Sequence, residues 1–115
     1  MSTSTIWHCC VIQARFPHQM EVYRWLLNDS AYRVCSILHD KDISEEEYTV
    51  CEPDGKELTI KQGERKPAHY HCIIKCSRRL TEESMTKRFG GYVNFQSCSD
   101  PTEYARYITH DTFMF

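Results

Sequence analysis

The stretch that decides the fold is residues 68–76, AHYHCIIKC. Side chains in a β-strand alternate between the two faces of a sheet. One face of this stretch therefore carries His69, His71 and Lys75, and the other carries Tyr70 and Cys72. Apolar side chains occupy both faces, which is typical of a strand covered on both sides. The pattern predicts a central strand that presents two imidazoles side by side.

The segments around this strand predict an α+β domain. Three further runs rich in β-branched and aromatic residues predict strands at residues 5–14, 32–39 and 92–96. Apolar spacing, N-cap residues and glycine stops predict helices at residues 18–29, 81–90 and 100–110. This order predicts a ferredoxin-like antiparallel sheet, as in RNA-recognition domains, with its helices on one face.

Residues 43–66 predict a β-hairpin inserted into this order. The segment is the most polar of the chain, and Pro53-Asp54-Gly55 between two short β-like runs is typical of a turn. Three consecutive glutamates, residues 45–47, would repel an anionic partner. We therefore expect the hairpin to protrude and to contribute little to binding.

Composition and length are those of one globular domain spanning residues 1–115. The chain is 41% hydrophobic and 26% charged, which excludes disordered and collagen-like classes. No apolar run approaches the roughly 18 residues of a membrane span, and residues 1–5 lack the basic flank of a signal peptide. We expect a soluble, intracellular protein that does not bind membranes.

The seven cysteines indicate a reducing compartment. Their number is odd and no C-x-x-C pair occurs, so the sequence contains neither a zinc ribbon nor a thioredoxin motif. Cys9 and Cys10 are adjacent in a predicted strand, so their side chains face opposite ways and are not expected to pair. We expect most of these thiols to be small buried hydrophobic groups in a cytoplasmic protein.

The charge is unevenly distributed along the chain. The net charge is −2, but residues 61–92 hold eight basic and three acidic residues. A cluster of this kind can bind the phosphates of a nucleic acid. An ordinary solvated surface has the same composition, so charge alone leaves both interpretations open.

Histidine and carboxylate side chains at two predicted strand ends suggest a metal site. His69 and His71 lie on one face of a strand, and His39 and Asp42 stand at the end of another. If the two strands are neighbours, these four residues can bind one divalent cation. Nitrogen and oxygen ligands without a thiolate favour Mn²⁺ or Mg²⁺ over a structural zinc ion.

Three strings, in this order, resemble the HUH endonucleases, and within them the rolling-circle replication initiators of small bacterial plasmids. They are SILHDKD (36–42), KPAHYHCII (66–74) and YITH (107–110). The resemblance implies that His39, Asp42, His69 and His71 bind the metal and that Tyr107 is the nucleophile. It also implies a bacterial, cytoplasmic enzyme that nicks single-stranded or hairpin DNA at a replication origin through a 5′-phosphotyrosine intermediate.

The choice of Tyr107 over Tyr104 follows from its position in the third string. Both tyrosines belong to the last predicted helix, and Tyr104 is expected to pack that helix onto the sheet. Five basic residues near the motifs are expected to contact DNA, namely Lys41, Lys75, Arg78, Arg79 and Arg106. We expect the domain to be a monomer.

Two other functions are compatible with the residues. A non-catalytic, ferredoxin-like nucleic-acid-binding module would stack bases on strand aromatics such as Tyr70 and Tyr92. A structural zinc protein would combine His69 and His71 with Cys72 or Cys76. The alternation of the strand counts against the second, because it places both thiols on the face opposite the histidines.

Overall fold

A computed structural model describes residues 4–52 and 55–109, without the side chains of residues 107–109. This part of the chain contains six strands and three helices. The strands are β1 (Thr5–Gln13), β2 (Tyr32–His39), β3 (Tyr48–Cys51), β4 (Glu57–Ile60), β5 (His69–Leu80) and β6 (Gln96–Ser97). The helices are α1 (Pro17–Asn28), α2 (Glu82–Arg88) and α3 (Pro101–Thr109). The α+β class predicted from the sequence is confirmed.

Four strands form one antiparallel sheet in the order β2-β5-β1-β6. The central strand β5, which contains the stretch quoted first, pairs with β2 on one side and β1 on the other. Residues directly opposite each other in such a pair share a face. His39 lies opposite His69, and Ile37 lies opposite His71. The register therefore places all three histidines on one face of the sheet.

Helices α1 and α2 cover the other face and form the main core. Val22 and Leu26 of α1 and Met85 of α2 pack against Cys72 and Ile74 of β5. Pro17 occupies the first turn of α1, where its missing N–H is tolerated. The hydroxyl of Thr81 caps α2 by accepting the N–H of Ser84.

Helix α3 packs on the histidine face, so the prediction that all helices lie on one face is wrong. The hydroxyl of Tyr104 lies 3.5 Å from Nδ1 of His71. Cys9 and Ile73, which lie opposite each other on the same face, are both buried. The sequence predicted that Tyr104 packs α3 onto the sheet, but the position of one tyrosine does not specify which face of the sheet it meets.

Two strands differ in extent from the prediction. The fourth strand of the sheet is Gln96–Ser97 and not residues 92–96. Gly90 and Gly91 both adopt positive φ angles, so the chain still turns after α2, and Val93 and Phe95 are buried outside any strand. Strand β5 continues beyond residue 76 to Leu80, which lies opposite Thr5 of β1.

The inserted hairpin is confirmed, but it does not protrude freely. Strands β3 and β4 pair with each other, with Tyr48 opposite Ile60. Ile60 is buried, and Glu52 is only 3% exposed. One carboxylate oxygen of Glu52 accepts the backbone N–H of Gln19, in the first turn of α1, at 3.3 Å. The hairpin is therefore anchored on the domain beside the sheet.

The seven cysteines are all free thiols, and five of them are buried, so the prediction that most are small buried groups is confirmed. Cys35 and Cys51 are exposed. None of the helices in the described part of the chain has the length and apolar character needed to cross a bilayer.

Candidate metal centre

The centre of the candidate site is a cluster of three imidazoles. His39, His69 and His71 each contribute one ring nitrogen, and the three nitrogens lie within 4.8 Å of one another. Two of these residues, His39 and His69, are 7% exposed, and His71 is half-buried. Three imidazole nitrogens at this spacing can bind a single cation.

Each ring has a polar partner at its Nδ1 atom. Nδ1 of His39 donates to Oδ2 of Asp42 at 2.9 Å, and Nδ1 of His69 donates to the carbonyl of Pro67 at 2.8 Å. Nδ1 of His71 lies 3.5 Å from the hydroxyl of Tyr104. When Nδ1 carries the proton of a neutral imidazole, Nε2 has the free lone pair that binds a metal. The partners of His39 and His69 therefore favour the tautomer that a metal requires, whereas the hydroxyl of Tyr104 can donate as well as accept.

Asp42 lies at the cluster and is closest to His39. Its Oδ2 is 4.0 Å from Nε2 of His69, compared with 2.9 Å from Nδ1 of His39. A carboxylate that accepts the second N–H of a ligating histidine fixes the orientation of that ring and raises its basicity. In this arrangement Asp42 can orient His39, and its predicted role as a direct ligand stays a prediction.

A cleft of about 380 Å³ opens over the histidines. Its walls include Tyr48 of the hairpin and Lys66 from the segment leading into β5. The backbone N–H of Lys66 donates to the carbonyl of Asp42 at 2.7 Å, which holds the two segments together. Burial raises the pKa of Tyr48, and the charge of Asp42 adds to the effect.

Neither Tyr48 nor Lys66 was identified from the sequence as a site residue. The signals for Lys66 were its place in the basic segment 61–92 and directly before Pro67 in the KPAHYH string, and Tyr48 carried none. Tyr48 comes to the cleft only because the hairpin folds back onto the domain.

The two candidate tyrosines differ in what the structure shows. Tyr107 belongs to α3, but its side chain lies outside the described residues. Tyr104, expected to be a packing residue, is half-buried and contacts His71. Burial raises the pKa of Tyr104 far above its ordinary value, and neighbouring cysteine thiols add to this.

The five predicted DNA contacts do not form one surface around the cleft. Lys41 is exposed beside Asp42, and Arg106 is exposed on α3. Lys75 lies four residues beyond His71, about 13 Å along the strand, and its ammonium group is 5.6 Å from the centre of the Trp7 ring. Arg78 and Arg79 are exposed still further along β5. The guanidinium of Arg79 donates to the carbonyl of Ser4 at 2.9 Å.

Two residues of the alternative functions, Tyr70 and Cys72, are placed unfavourably for those functions. Tyr70 stacks on Tyr23 of α1, with ring centres 4.4 Å apart, so α1 occupies that ring. Cys72 is fully buried in the core on the face opposite the histidines. Comparisons of the chain with protein-family models, with curated proteins and with solved structures each find no match.

Proposed function

We propose that this chain is a metal-dependent endonuclease and strand transferase acting on single-stranded DNA, similar to the rolling-circle initiators of the HUH endonucleases. The observation that carries the proposal is the set of three clustered imidazoles, each with a partner at Nδ1. A nucleic-acid-binding module without a metal has no use for three clustered imidazoles, two of which are held in the tautomer that a metal requires. The three motif strings support the proposal further, because their order along the chain resembles that family and implies its chemistry.

The proposal includes a ferredoxin-like fold. Without the inserted hairpin, the sequence order is β-α-β-β-α-β followed by α3, and the sheet order is β2-β5-β1-β6. A ferredoxin-like sheet has this arrangement, in which the third strand lies between the first and second. Helix α3, on the opposite face, is then an addition that covers part of the histidine face.

His39, His69 and His71 would hold the divalent cation, with Asp42 orienting His39. The donor set is rich in nitrogen, which favours Mn²⁺ over Mg²⁺ because Mg²⁺ prefers oxygen ligands. When bound, the cation supplies positive charge that polarises the phosphate to be cleaved. Lys66, at the wall of the same cleft, is placed to neutralise a phosphate oxygen of the DNA backbone.

Tyr107 is the proposed nucleophile. Its phenol oxygen forms a bond to phosphorus as the bond from phosphorus to the 3′-oxygen breaks. The phenol loses its proton, and the leaving 3′-oxygen gains one to become a free hydroxyl. The product is a 5′-phosphotyrosine link, which conserves the energy of the phosphodiester for later rejoining. The free 3′-hydroxyl can prime DNA synthesis at a replication origin.

The proposal is tested by looking for the covalent adduct. The protein is incubated with Mn²⁺ and a pool of single-stranded oligonucleotides that have a randomised centre and a fluorescent label at the 3′ end. The adduct retains the 3′ portion of the strand, so a labelled band should migrate with the protein on a denaturing gel. Tyr107→Phe should abolish the band, and Tyr104→Phe should retain it.

The two tyrosine variants form a matched pair on one helix. Residues three apart differ by about 300° of rotation and 4.5 Å of rise, so only one hydroxyl can be in line with a bound phosphate. Loss of the adduct in Tyr104→Phe alone would reassign the nucleophile to Tyr104. Absence of any adduct from the unaltered protein with Mn²⁺ would overturn the proposed nuclease function.

A further inference from the structure

A second cleft adjoins the cleft over the histidines. It has a volume of about 550 Å³, within the range of small-molecule sites. Val11 and Gln13 of β1 line both clefts, and Tyr104, which contacts His71, lines the second as well. The proposed nuclease function makes no use of this space.

The walls of the second cleft suit a neutral ligand that has hydrogen-bond donors. Among the described residues, its polar lining consists mainly of carboxamides and one carboxylate, contributed by Gln13, Gln19, Asn94, Gln96 and Glu52. No lysine, arginine or histidine lines it in the described part of the chain. A phosphate would meet a carboxylate and no cation, so the DNA backbone is excluded as its occupant.

Two oxygen atoms in this wall have no hydrogen-bond partner within the described chain. They are Oε1 of Gln13 and Oε2 of Glu52, and both are buried. The other carboxylate oxygen of Glu52 accepts the N–H of Gln19, which fixes the side chain in place. Buried acceptors are almost always paired. A ligand that brings hydrogen-bond donors would therefore pair the two oxygens of this wall.

We propose that the second cleft holds one unpaired guanine of the DNA strand whose phosphate occupies the histidine cleft. Guanine is the base with adjacent donors, its N1–H and its 2-amino group, which can supply both unpaired acceptors, Oε2 of Glu52 and Oε1 of Gln13. Val11, Val50 and Tyr92 supply apolar surface for the faces of the base. Because the two oxygens are shielded from water, entry of the base is accompanied by rotation of the half-buried Gln13 side chain.

The shared wall determines which nucleotide is read. Val11 and Gln13 separate the two clefts, so the base lies within one or two nucleotides of the phosphate at the histidines. This inference rests on the proposed nuclease function for the identity of the ligand. It adds that the hairpin, through Glu52, gives the site its preference for a base next to the cleaved bond.

The test measures binding in EDTA, so that cleavage does not contribute. Fluorescence anisotropy compares three labelled 15-nucleotide strands: all thymidine, one central guanine, and one central hypoxanthine, which lacks only the 2-amino group. We expect the guanine strand to bind about tenfold more tightly than the thymidine strand, the value of one good base contact. Hypoxanthine should lie between the two.

Glu52→Gln retains the acceptor for Gln19 but replaces the second oxygen by an amide, which donates. The guanine preference, measured as the ratio of the affinities for the guanine and thymidine strands, should fall to less than about twofold. Glu57→Gln is the matched control, because Glu57 is exposed on the same hairpin, and it should retain the full preference. If Glu52→Gln does not fold, Asn94→Ala, at an exposed position, should reduce binding of the guanine strand several-fold.

The outcomes separate this proposal from the proposed nuclease function. Equal binding of the three strands by the unaltered protein, or full preference in Glu52→Gln, would overturn the guanine site. Stronger binding of the matching RNA strand would also overturn it. Guanine preference without any covalent adduct in Mn²⁺ would support the cleft and contradict the nuclease.

Discussion

At the scale of single residues, the partner on one nitrogen of each histidine determines what the other nitrogen can do. Pro67 is the clearest case, because it lies just before β5 and its carbonyl accepts a hydrogen bond from Nδ1 of His69 at 2.8 Å. The acceptor in this bond is a backbone atom, so no substitution of the Pro67 side chain removes it. Asp42 and Tyr104, by contrast, can be altered singly.

The role of Asp42 can be separated from that of a ligand by titrating Mn²⁺ into variants and following binding by calorimetry. His69→Ala removes a ligand, so we expect no measurable binding. Asp42→Asn weakens only the support of His39, so affinity should fall by about 10- to 100-fold. Asp40→Asn, at a neighbouring exposed position, should bind as the unaltered protein does. Equal losses in Asp42→Asn and His69→Ala would make Asp42 a direct ligand.

The sequence identified some site residues and missed others for physical reasons. His39, His69 and His71 follow from strand alternation once the two strands are assumed to pair, and they do pair. Glu52 was missed because nothing local distinguishes it from the other glutamates of a polar segment. Its burial depends on the hairpin folding against α1, which no local pattern encodes.

At the scale of elements, capping and turn chemistry predicted boundaries well where a single residue decides them. Pro17 begins α1, and Thr81 caps α2 as its sequence position suggested. The strand predicted at residues 92–96 was wrong. Its apolar and β-branched residues are buried in a loop, with Val93 and Phe95 both 1% exposed. Composition reports burial more directly than it reports strand pairing.

The cap of α2 provides a test at this scale. Thr81→Ala removes the acceptor for the N–H of Ser84, 3.1 Å from the hydroxyl. We expect the free energy of unfolding to fall by about 1 kcal/mol, measured by urea denaturation. Thr102→Ala, at an exposed position in the first turn of α3, should change it little. A loss in Thr102→Ala equal to that in Thr81→Ala would rule out capping as the cause.

At the scale of the whole molecule, the sheet separates a core face from a site face. Burial raises the pKa of the Cys76 thiol, on the core face, to about 11 from an ordinary value of 9.0. Burial and the neighbouring Cys98 raise the pKa of Cys9, on the site face, to about 11. The folded chain therefore retains protons that the unfolded chain has released at the same alkaline pH.

This difference makes stability fall as pH rises. Below about pH 9 both states hold these protons, and the contribution of the thiols is fully present. Between pH 9 and about 11 each thiol should lower the free energy of unfolding by up to about 1.4 kcal/mol per pH unit. Urea denaturation at pH 8, 9, 10 and 11 measures the slope.

The Cys76→Ala variant isolates one thiol. Its stability should decline less steeply over this range than that of the unaltered protein, whatever its stability at pH 8. Cys35→Ala, at an exposed position, should leave the slope as it is. Identical slopes in all three proteins would show that the buried thiols do not govern the alkaline response.

The pairing of His39 with His69 across β2 and β5 also makes the site a reporter of strand register. A slip of β2 by one residue would turn His39 to the core face and leave two imidazoles on the other. Any cation that needs three nitrogens would then select correctly paired molecules from a refolding mixture. Metal affinity can thus serve as a quality check on refolded material, and adding the cation during refolding should favour the native alignment of the two strands.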